Sequence, residues 1–330
     1  MPGNCIALRL RISTISGNQL YKNTAIHVVI PACNEGRFIG QVLSSLPGCV
    51  DKIIVVDDYS TDDTFRAATA SVDPRVVVIK TAQNCGVGGA MKLGYRKALE
   101  LGGQILVKMD GDGQMIPEHL TLLLDAIIEK GYDYAKGNRF LHTAAINQMP
   151  AIRIFGNIVL TFLTKAASGY WHIFDPQNGY TAIRVDALRS LALDKLDQRF
   201  FFENDMLVQL NIQNYRVADV AIPARYGQEV SDLKISKILF TFPPLLLRRF
   251  AYRVIQKYVL RNFSPVALFL LLGLPIFLWG SLFGMYLWAR VVITGEATPA
   301  GSIMLALVPI VLGFQLLLQA IVLDIHETPR

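Results

Sequence analysis

Residues 104–114 read Gln-Ile-Leu-Val-Lys-Met-Asp-Gly-Asp-Gly-Gln. The apolar run over 104–109 has the length and composition of a buried strand, and two carboxylates one residue apart stop it. Acids in that position are not packing residues, because burying an unpaired carboxylate costs several kcal/mol. An oxygen-rich set of Asp110, Asp112 and Gln114 suits Mg²⁺ or Mn²⁺, with phosphate oxygens completing the shell. Taken alone, the same residues also fit a solvated turn.

Working outward, similar apolar runs stand at 26–30, ended by Pro31; at 52–56, ended by Asp57-Asp58; and at 76–79. Between them the spacing predicts helices over 38–46, 61–71, 89–101 and 117–130. Thr61 or Asp62 is suited to cap the second of these, and Pro117 to open the last. This alternation predicts an α/β fold: a Rossmann-like, mostly parallel sheet with helices on both faces. Such sheets bind ligands outside the C-terminal ends of their strands. Those ends carry residues 31–35, 57–58 and 110–114, so three polar clusters converge on one rim. Further on, 151–168 reads as a helix, 174–184 as a polar and aromatic segment, 199–210 as a helix with an acidic start, and 217–221 as an edge strand.

The chain has 330 residues, 52% of them hydrophobic and 18% charged, which is too apolar for an ordinary soluble enzyme. The excess is concentrated in 264–324, where Arg290, Glu296 and Asp324 are the charges. Two spans are predicted there, over 265–289 and 302–323, each longer than the roughly 20 residues that cross a bilayer core. Ahead of them Lys234, Lys237, Arg248, Arg249, Arg253, Lys257 and Arg261 occur without an acid. That pattern points to anionic lipid headgroups, not nucleic acid, or simply to a flank that sets topology. Apolar and basic positions alternate over 235–262, and Pro243-Pro244 interrupts them, which predicts two amphipathic helices in the interface plane. The positive-inside bias puts the large domain and the C-terminus in the cytoplasm. Four scattered cysteines and five scattered histidines form no disulfide framework or zinc pattern. Arg9 and Arg11 are not followed by a signal-peptide apolar run. The expected organisation is a flexible extension over 1–23, a catalytic domain over 24–234, juxtamembrane helices over 235–262 and a transmembrane hairpin over 263–326.

Two further stretches carry chemistry. In Val56-Asp57-Asp58-Tyr59-Ser60-Thr61-Asp62-Asp63-Thr64, a strand-end carboxylate can accept from the imino N–H of uracil or guanine, or the stretch is a helix cap. Ile30-Pro31-Ala32-Cys33-Asn34-Glu35 can wrap a base and ribose, or is a strand-to-helix turn. Gly86-Val87-Gly88-Gly89 looks like a dinucleotide loop, but Met91 stands where a third small residue belongs. It suits a helix N-terminus approaching a sugar-phosphate.

These motifs, in this order, resemble those of the family 2 glycosyltransferases with a GT-A fold: P-x-x-N-E, V-D-D-x-S-x-D-x-T and D-x-D-x-Q. The resemblance extends through 84–90, 136–139 and 224–227, and so covers roughly residues 25–235. The basic helices and two spans are similar to those of the polyprenyl-phosphate glycosyltransferases, the group that includes dolichyl-phosphate mannose synthase. The resemblance implies that Pro31, Cys33 and Glu35 line the base and ribose, although Cys33 replaces a common tyrosine, and that Asp58 reads the base. It implies that Asp110, Asp112 and Gln114 hold Mg²⁺ or Mn²⁺ on the donor diphosphate, with Asp112 central to catalysis. Arg139 matches an arginine that binds the acceptor phosphate, and Arg153 is a second candidate. Tyr59 replaces a usually small residue.

Gly86 is expected beside the donor. Glu203 and Asp205 are expected to face its sugar, or else to stabilise a helix N-terminus. Arg225 and Lys234 either close over the phosphates or form a basic flank at the membrane surface. The partners implied are a UDP- or GDP-linked sugar, undecaprenyl or dolichyl phosphate, membrane lipid and, through the second span, another copy of the chain. Other readings stay open. A processive polysaccharide synthase shares such a domain, but no Q-x-x-R-W motif is present. A lipid-hydroxyl transferase and an inactive membrane scaffold complete the set.

Overall fold

In the computed structural model, residues 21–139, 151–223 and 235–329 are described, with the backbone alone for 151–158 and 235–240. The apolar runs pair as β1 (Ile26–Ala32), β2 (Lys52–Asp57), β3 (Val76–Lys80) and β4 (Ile105–Lys108). All of these pairings are parallel, with Val28 opposite both Ile53 and Val107. Alternation along β1 explains the layering. Ile26, Val28 and Ile30 pack on one face with α1 (Ile39–Ser45) and α4 (Leu120–Ile128). Val29 packs on the other face with α3 (Gly86–Glu100) and α7 (Phe202–Ile212).

The sheet has seven strands in the order β3-β2-β1-β4-β6-β5-β7. The strands β5 (Tyr134–Asn138) and β6 (Thr181–Arg184) were not read as strands from the sequence. Lys136 and Thr181 break their apolar runs, and β6 lies antiparallel to both β4 and β5. The strand β7 (Val217–Ala221) lies at the edge, as expected, and pairs parallel with β5.

Several boundaries move. α2 covers only Thr64–Thr69, and Asp62 accepts the N–H of Thr64 at 2.9 Å, whereas the Thr61 hydroxyl turns to Asn34. α3 starts at Gly86, so the glycine run is its first turn and not a preceding loop. A 3₁₀ turn over Pro117–His119 leads into α4. Tyr21 and Lys22, assigned to the flexible extension, bond to Asp125 of that helix. α5 (Ala151–Ser168) matches its expected span, and α6 (Val185–Ser190) is an addition.

The expected break at Pro243-Pro244 does not occur. α8 runs unbroken over Ile235–Val254, and a π-helical segment follows over Ile255–Arg261. Two prolines remove two helix N–H donors, at a cost of roughly 3 kcal/mol each. Packing offsets that cost: Phe242 and Leu246 are buried with Ala167 and Phe201, and the Phe201 and Phe242 rings meet edge to face at 5.4 Å. Much of the basic stretch also turns inward. Arg253 is fully buried, Lys257 nearly so, and Arg249 and Arg261 bond to α7. Arg248 remains exposed.

α9 (Pro265–Thr294) and α10 (Ala300–His326) form an antiparallel pair, each long and apolar enough to cross a membrane. Soluble core helices would be mostly buried. Here only 22% and 17% of the most apolar windows are, and Trp279, Leu282, Trp288 and Leu305 are exposed.

Candidate functional site

A cavity of about 600 Å³ opens outside the C-terminal ends of β1, β2 and β4. Pro31, Cys33 and Glu35 line it from the end of β1, and Asp58 from the end of β2. The second motif braces the first. Ser60 Oγ accepts the N–H of Asn34, Thr64 Oγ1 that of Glu35 and Asp62 that of Gly36, at 2.9, 2.7 and 2.9 Å. The serine, aspartate and threonine of V-D-D-x-S-x-D-x-T therefore hold the 33–36 turn. Tyr59 is left-handed at φ 60° and half exposed.

Asp58 is buried, and its Oδ1 accepts the Cys85 N–H at 2.8 Å and the Thr81 hydroxyl at 3.2 Å. The Cys85 thiol lies 2.9 Å from the same oxygen, and burial together with Asp58 pushes its pKa up to about 11. Asp58 thus ties the start of α3 to the end of β2. Gly86, which lines the cavity, has φ +74°, and a Cβ there would meet Gln198 O at 2.5 Å. Only glycine fits both constraints.

From β4, Lys108, Asp110 and Asp112 line the cavity. Lys108 and Asp110 are two residues apart and share a side of the strand, which sequence reading missed for the lysine. The Lys108 ammonium lies 3.0 Å from Asp110 Oδ1 and 2.9 Å from Glu203 Oε1. Burial opposes its charge, but Asp110 and Glu203 outweigh burial and raise its pKa. Asp112 accepts the main-chain N–H of Gln114 at 2.9 Å, while the exposed Gln114 does not line the cavity.

Among the described residues no three His, Cys, Asp or Glu side chains form a metal cluster. The lining nevertheless carries five carboxylates against two cations, Lys108 and Arg199. A diphosphate would be repelled by that balance without a cation of its own. Asp110 and Asp112 fit a divalent ion that takes its remaining ligands from phosphate and water.

Glu203 lines the cavity from the first turn of α7, but Asp205 does not, contrary to expectation. Asp205 is buried on the α8 side, where it accepts from Arg249 Nη2 at 2.6 Å and the Asp197 N–H at 2.8 Å. Burial pushes its carboxyl up to about 6, against the pull of Arg249. Two positions separate residues on opposite sides of a helix, so one acid faces the cavity and the other anchors α8.

Arg139 follows β5 at the same rim but does not line the cavity. Its Nε donates to the buried Asp175 at 2.8 Å and its Nη2 to the other carboxylate oxygen at 3.3 Å. Behind it Lys136 is fully buried and donates to Asn178 O, and burial pushes its ammonium down to about 8. The Arg153 side chain, Arg225 and Lys234 lie outside the described residues. Sequence reading also gave no role to Asn84, Gln177, Arg199, Phe200 and Phe242, all lining the cavity from loops or from α8. Isolated polar or aromatic residues outside the strand-end motifs carry no local signal.

The family profile described as Glycosyl transferase family 2 matches residues 27–192. The UDP-N-acetylglucosamine–dolichyl-phosphate N-acetylglucosaminyltransferase of Methanococcus voltae is 31% identical over 218 residues, covering 62% of this chain and 86% of that protein. The polyprenol monophosphomannose synthase of Mycolicibacterium smegmatis is 32% identical over 209 residues, 59% of this chain and 75% of its own. Among solved structures, glucosyl-3-phosphoglycerate synthase from Mycobacterium tuberculosis in complex with Mn²⁺, UDP-glucose and phosphoglyceric acid superposes with a TM-score of 0.51 at 22% identity. That match covers 70% of this chain and 80% of the other, and is a likeness of fold.

Proposed function

The chain belongs to glycosyl transferase family 2 and is a glycosyltransferase, and on that premise we propose that it transfers a hexose from a UDP- or GDP-linked sugar to undecaprenyl or dolichyl phosphate, with inversion, at the cytoplasmic face of the membrane. One observation carries this reading. Phe242 of α8 forms part of the cavity wall, and α8 leads through Ile255–Arg261 directly into the apolar helix α9. The helix that walls the donor cavity is therefore continuous with the segment that enters the first apolar helix, which supports an acceptor drawn from a membrane. The polyprenyl-phosphate transferases among its relatives support the acceptor class. α9 leaves from the catalytic domain and α10 returns to it, where Thr328 donates to Gly169 O at 3.1 Å, which supports one side for both domain and C-terminus.

In this reading Pro31, Cys33 and Glu35 flank the base and ribose, Asp58 sits at the base, and Glu203 faces the sugar. Asp110 and Asp112 would hold Mg²⁺ or Mn²⁺, which would supply charge neutralisation for the leaving diphosphate. Gln114 holds Asp112 through its main-chain N–H. A lipid monophosphate has a second pKa near 6, so it is mostly dianionic at neutral pH and attacks without a general base. The protein's task is then to bring two anions together. Asp175 keeps the Arg139 fork oriented at the rim, and the acceptor phosphate draws on the same guanidinium. Arg153, Arg225 and Lys234 are the further cations of this proposal.

The test is incubation of the detergent-purified protein with Mn²⁺, a panel of UDP- and GDP-sugars and a polyprenyl phosphate, followed by organic extraction. A glycolipid formed from one donor, and lost with EDTA or Asp112→Ala, supports the reading. Arg139→Ala should abolish transfer and leave nucleotide binding nearly intact. Nucleotide release driven by a sugar or protein acceptor, with no lipid product, overturns the acceptor assignment.

A further inference from the structure

Lys108 has no part in the chemistry described above, yet it sits within the cavity wall. Its side chain is 3% exposed, with the ammonium 3.0 Å from Asp110 and 2.9 Å from Glu203. A lysine there is a costly way to fill space. Replacing a buried ion pair by apolar residues of similar volume is often neutral or stabilising. The fold also makes room for it: a Cβ on Gly179 would fall 2.4 Å from the ammonium and 2.7 Å from Asp110 Oδ2. Glycine at 179 keeps the lysine and the carboxylate in contact.

We propose that Lys108 is a positioning residue that acts as the resident counter-cation of the donor cavity, keeping divalent-cation binding weak until a nucleotide diphosphate arrives. The inference rests on the proposed role of Asp110 and Asp112 as metal-holding residues. Without a donor, the ammonium neutralises one charge of the acidic wall and engages the Asp110 carboxylate through Oδ1, so it competes with a cation for that charge. An ammonium has three N–H donors, and two meet Asp110 and Glu203. The third is available to an oxygen of the incoming donor. A diphosphate brings enough negative charge to hold both the lysine and a divalent ion. Cation and nucleotide therefore bind cooperatively, and each strengthens the other by the same factor.

The experiment is an electron paramagnetic resonance titration of free Mn²⁺ against the full-length protein in detergent, with and without UDP. Wild type should bind Mn²⁺ weakly alone and more tightly with UDP. In Lys108→Gln, Mn²⁺ binding without UDP should tighten, by on the order of tenfold, and the enhancement by UDP should shrink accordingly. Lys108→Arg should behave as wild type. A merely structural lysine would give weaker binding or none, never tighter. Should Lys108→Gln fail to fold, Glu203→Gln gives the complementary sign: the lysine then bears on Asp110 alone, and Mn²⁺ without UDP should bind more weakly. Unchanged or weakened Mn²⁺ binding in a folded Lys108→Gln, or unchanged binding in Glu203→Gln, overturns the proposal. If wild type binds no Mn²⁺ even with UDP, the metal role of Asp110 and Asp112 falls as well, so the two failures are distinguishable.

Discussion

Arg253 and Asp324, 71 positions apart, form a two-pronged ion pair, with Nη1 at 2.7 Å from Oδ1 and Nη2 at 2.9 Å from Oδ2. The same carboxylate accepts from Tyr258 Oη at 2.5 Å and from Trp171 Nε1 at 2.9 Å. The guanidinium also donates to Ala166 O and Ala167 O, at 2.8 and 3.1 Å. One acid near the end of α10 is thus gripped by α8, by the π-helical segment and by the loop after α5. The apolar hairpin is keyed to the catalytic domain at this point.

Removing one partner of a buried pair strands the other charge, at about 3–5 kcal/mol. Asp324→Ala should therefore lower thermal stability in detergent clearly, by about that amount. The double variant Arg253→Met/Asp324→Leu should recover most of the loss, because apolar replacements leave no orphaned charge. A single variant that melts like wild type would mean the pair does not anchor the hairpin.

The metal assignment makes a separate prediction. Asp112→Asn keeps the shape and the acceptor oxygen for the Gln114 N–H but removes a charge. Turnover should fall roughly 100-fold or more, since electrostatic neutralisation of a leaving diphosphate is worth several kcal/mol. The melting temperature should stay near that of wild type, because Asp112 is only partly buried. Excess Mn²⁺ should restore part of the activity. Full activity in the presence of EDTA would remove the metal from the mechanism.

The parts of the fold visible in the sequence are those where one physical signal dominates. Val28, Ile54 and Val107 stand in uninterrupted apolar runs, and acids end the runs at Asp57 and Asp110, so both the strands and the rim could be read. β5 and β6 were invisible because Lys136 and Thr181 occupy buried strand positions, and their partners are set by tertiary contacts. The basic stretch was misread for a related reason. A charge pattern cannot distinguish Arg248, which is exposed, from Arg253, whose counter-ion lies 71 positions away. Pro243-Pro244 suggested a break, but the burial of Phe242 and Leu246 overrides local propensity. Glu203 and Asp205 look equivalent in the chain, and only the helix phase separates them.

Gly86 provides a test of the donor cavity that does not involve charge. It opens α3 at φ +74°, with Gln198 O where a Cβ would go. Gly86→Ala forces both a left-handed alanine and a shift of the 197–199 loop, at a cost on the order of 1–3 kcal/mol. Arg199 and Phe200 line the cavity from that same loop. UDP affinity measured by calorimetry should therefore fall more than the melting temperature suggests. Nucleotide affinity equal to wild type would place the nucleotide elsewhere.

Lys136 gives the clearest pH prediction. Burial pushes its ammonium from the ordinary 10.5 down to about 8. Between about pH 8 and about pH 10.5 the unfolded chain keeps a proton that the folded chain has released. The unfolded state then binds more protons, so stability rises with pH across that window. Below about pH 8 both states are protonated, and the full penalty of burying the charge is present. That penalty is on the order of 3 kcal/mol. Lys136→Met keeps an apolar stem of similar length and removes the titration, at the cost of the hydrogen bond to Asn178 O. The variant should be at least nearly as stable as wild type at about pH 7 and should lose ground to it steadily towards about pH 10. Lys257, also pushed down to about 8 by burial, contributes in the same direction to both proteins and cancels in the comparison. A difference in melting temperature that stays constant from about pH 7 to about pH 10 would mean that Lys136 titrates as an ordinary lysine and that its burial carries no charge penalty.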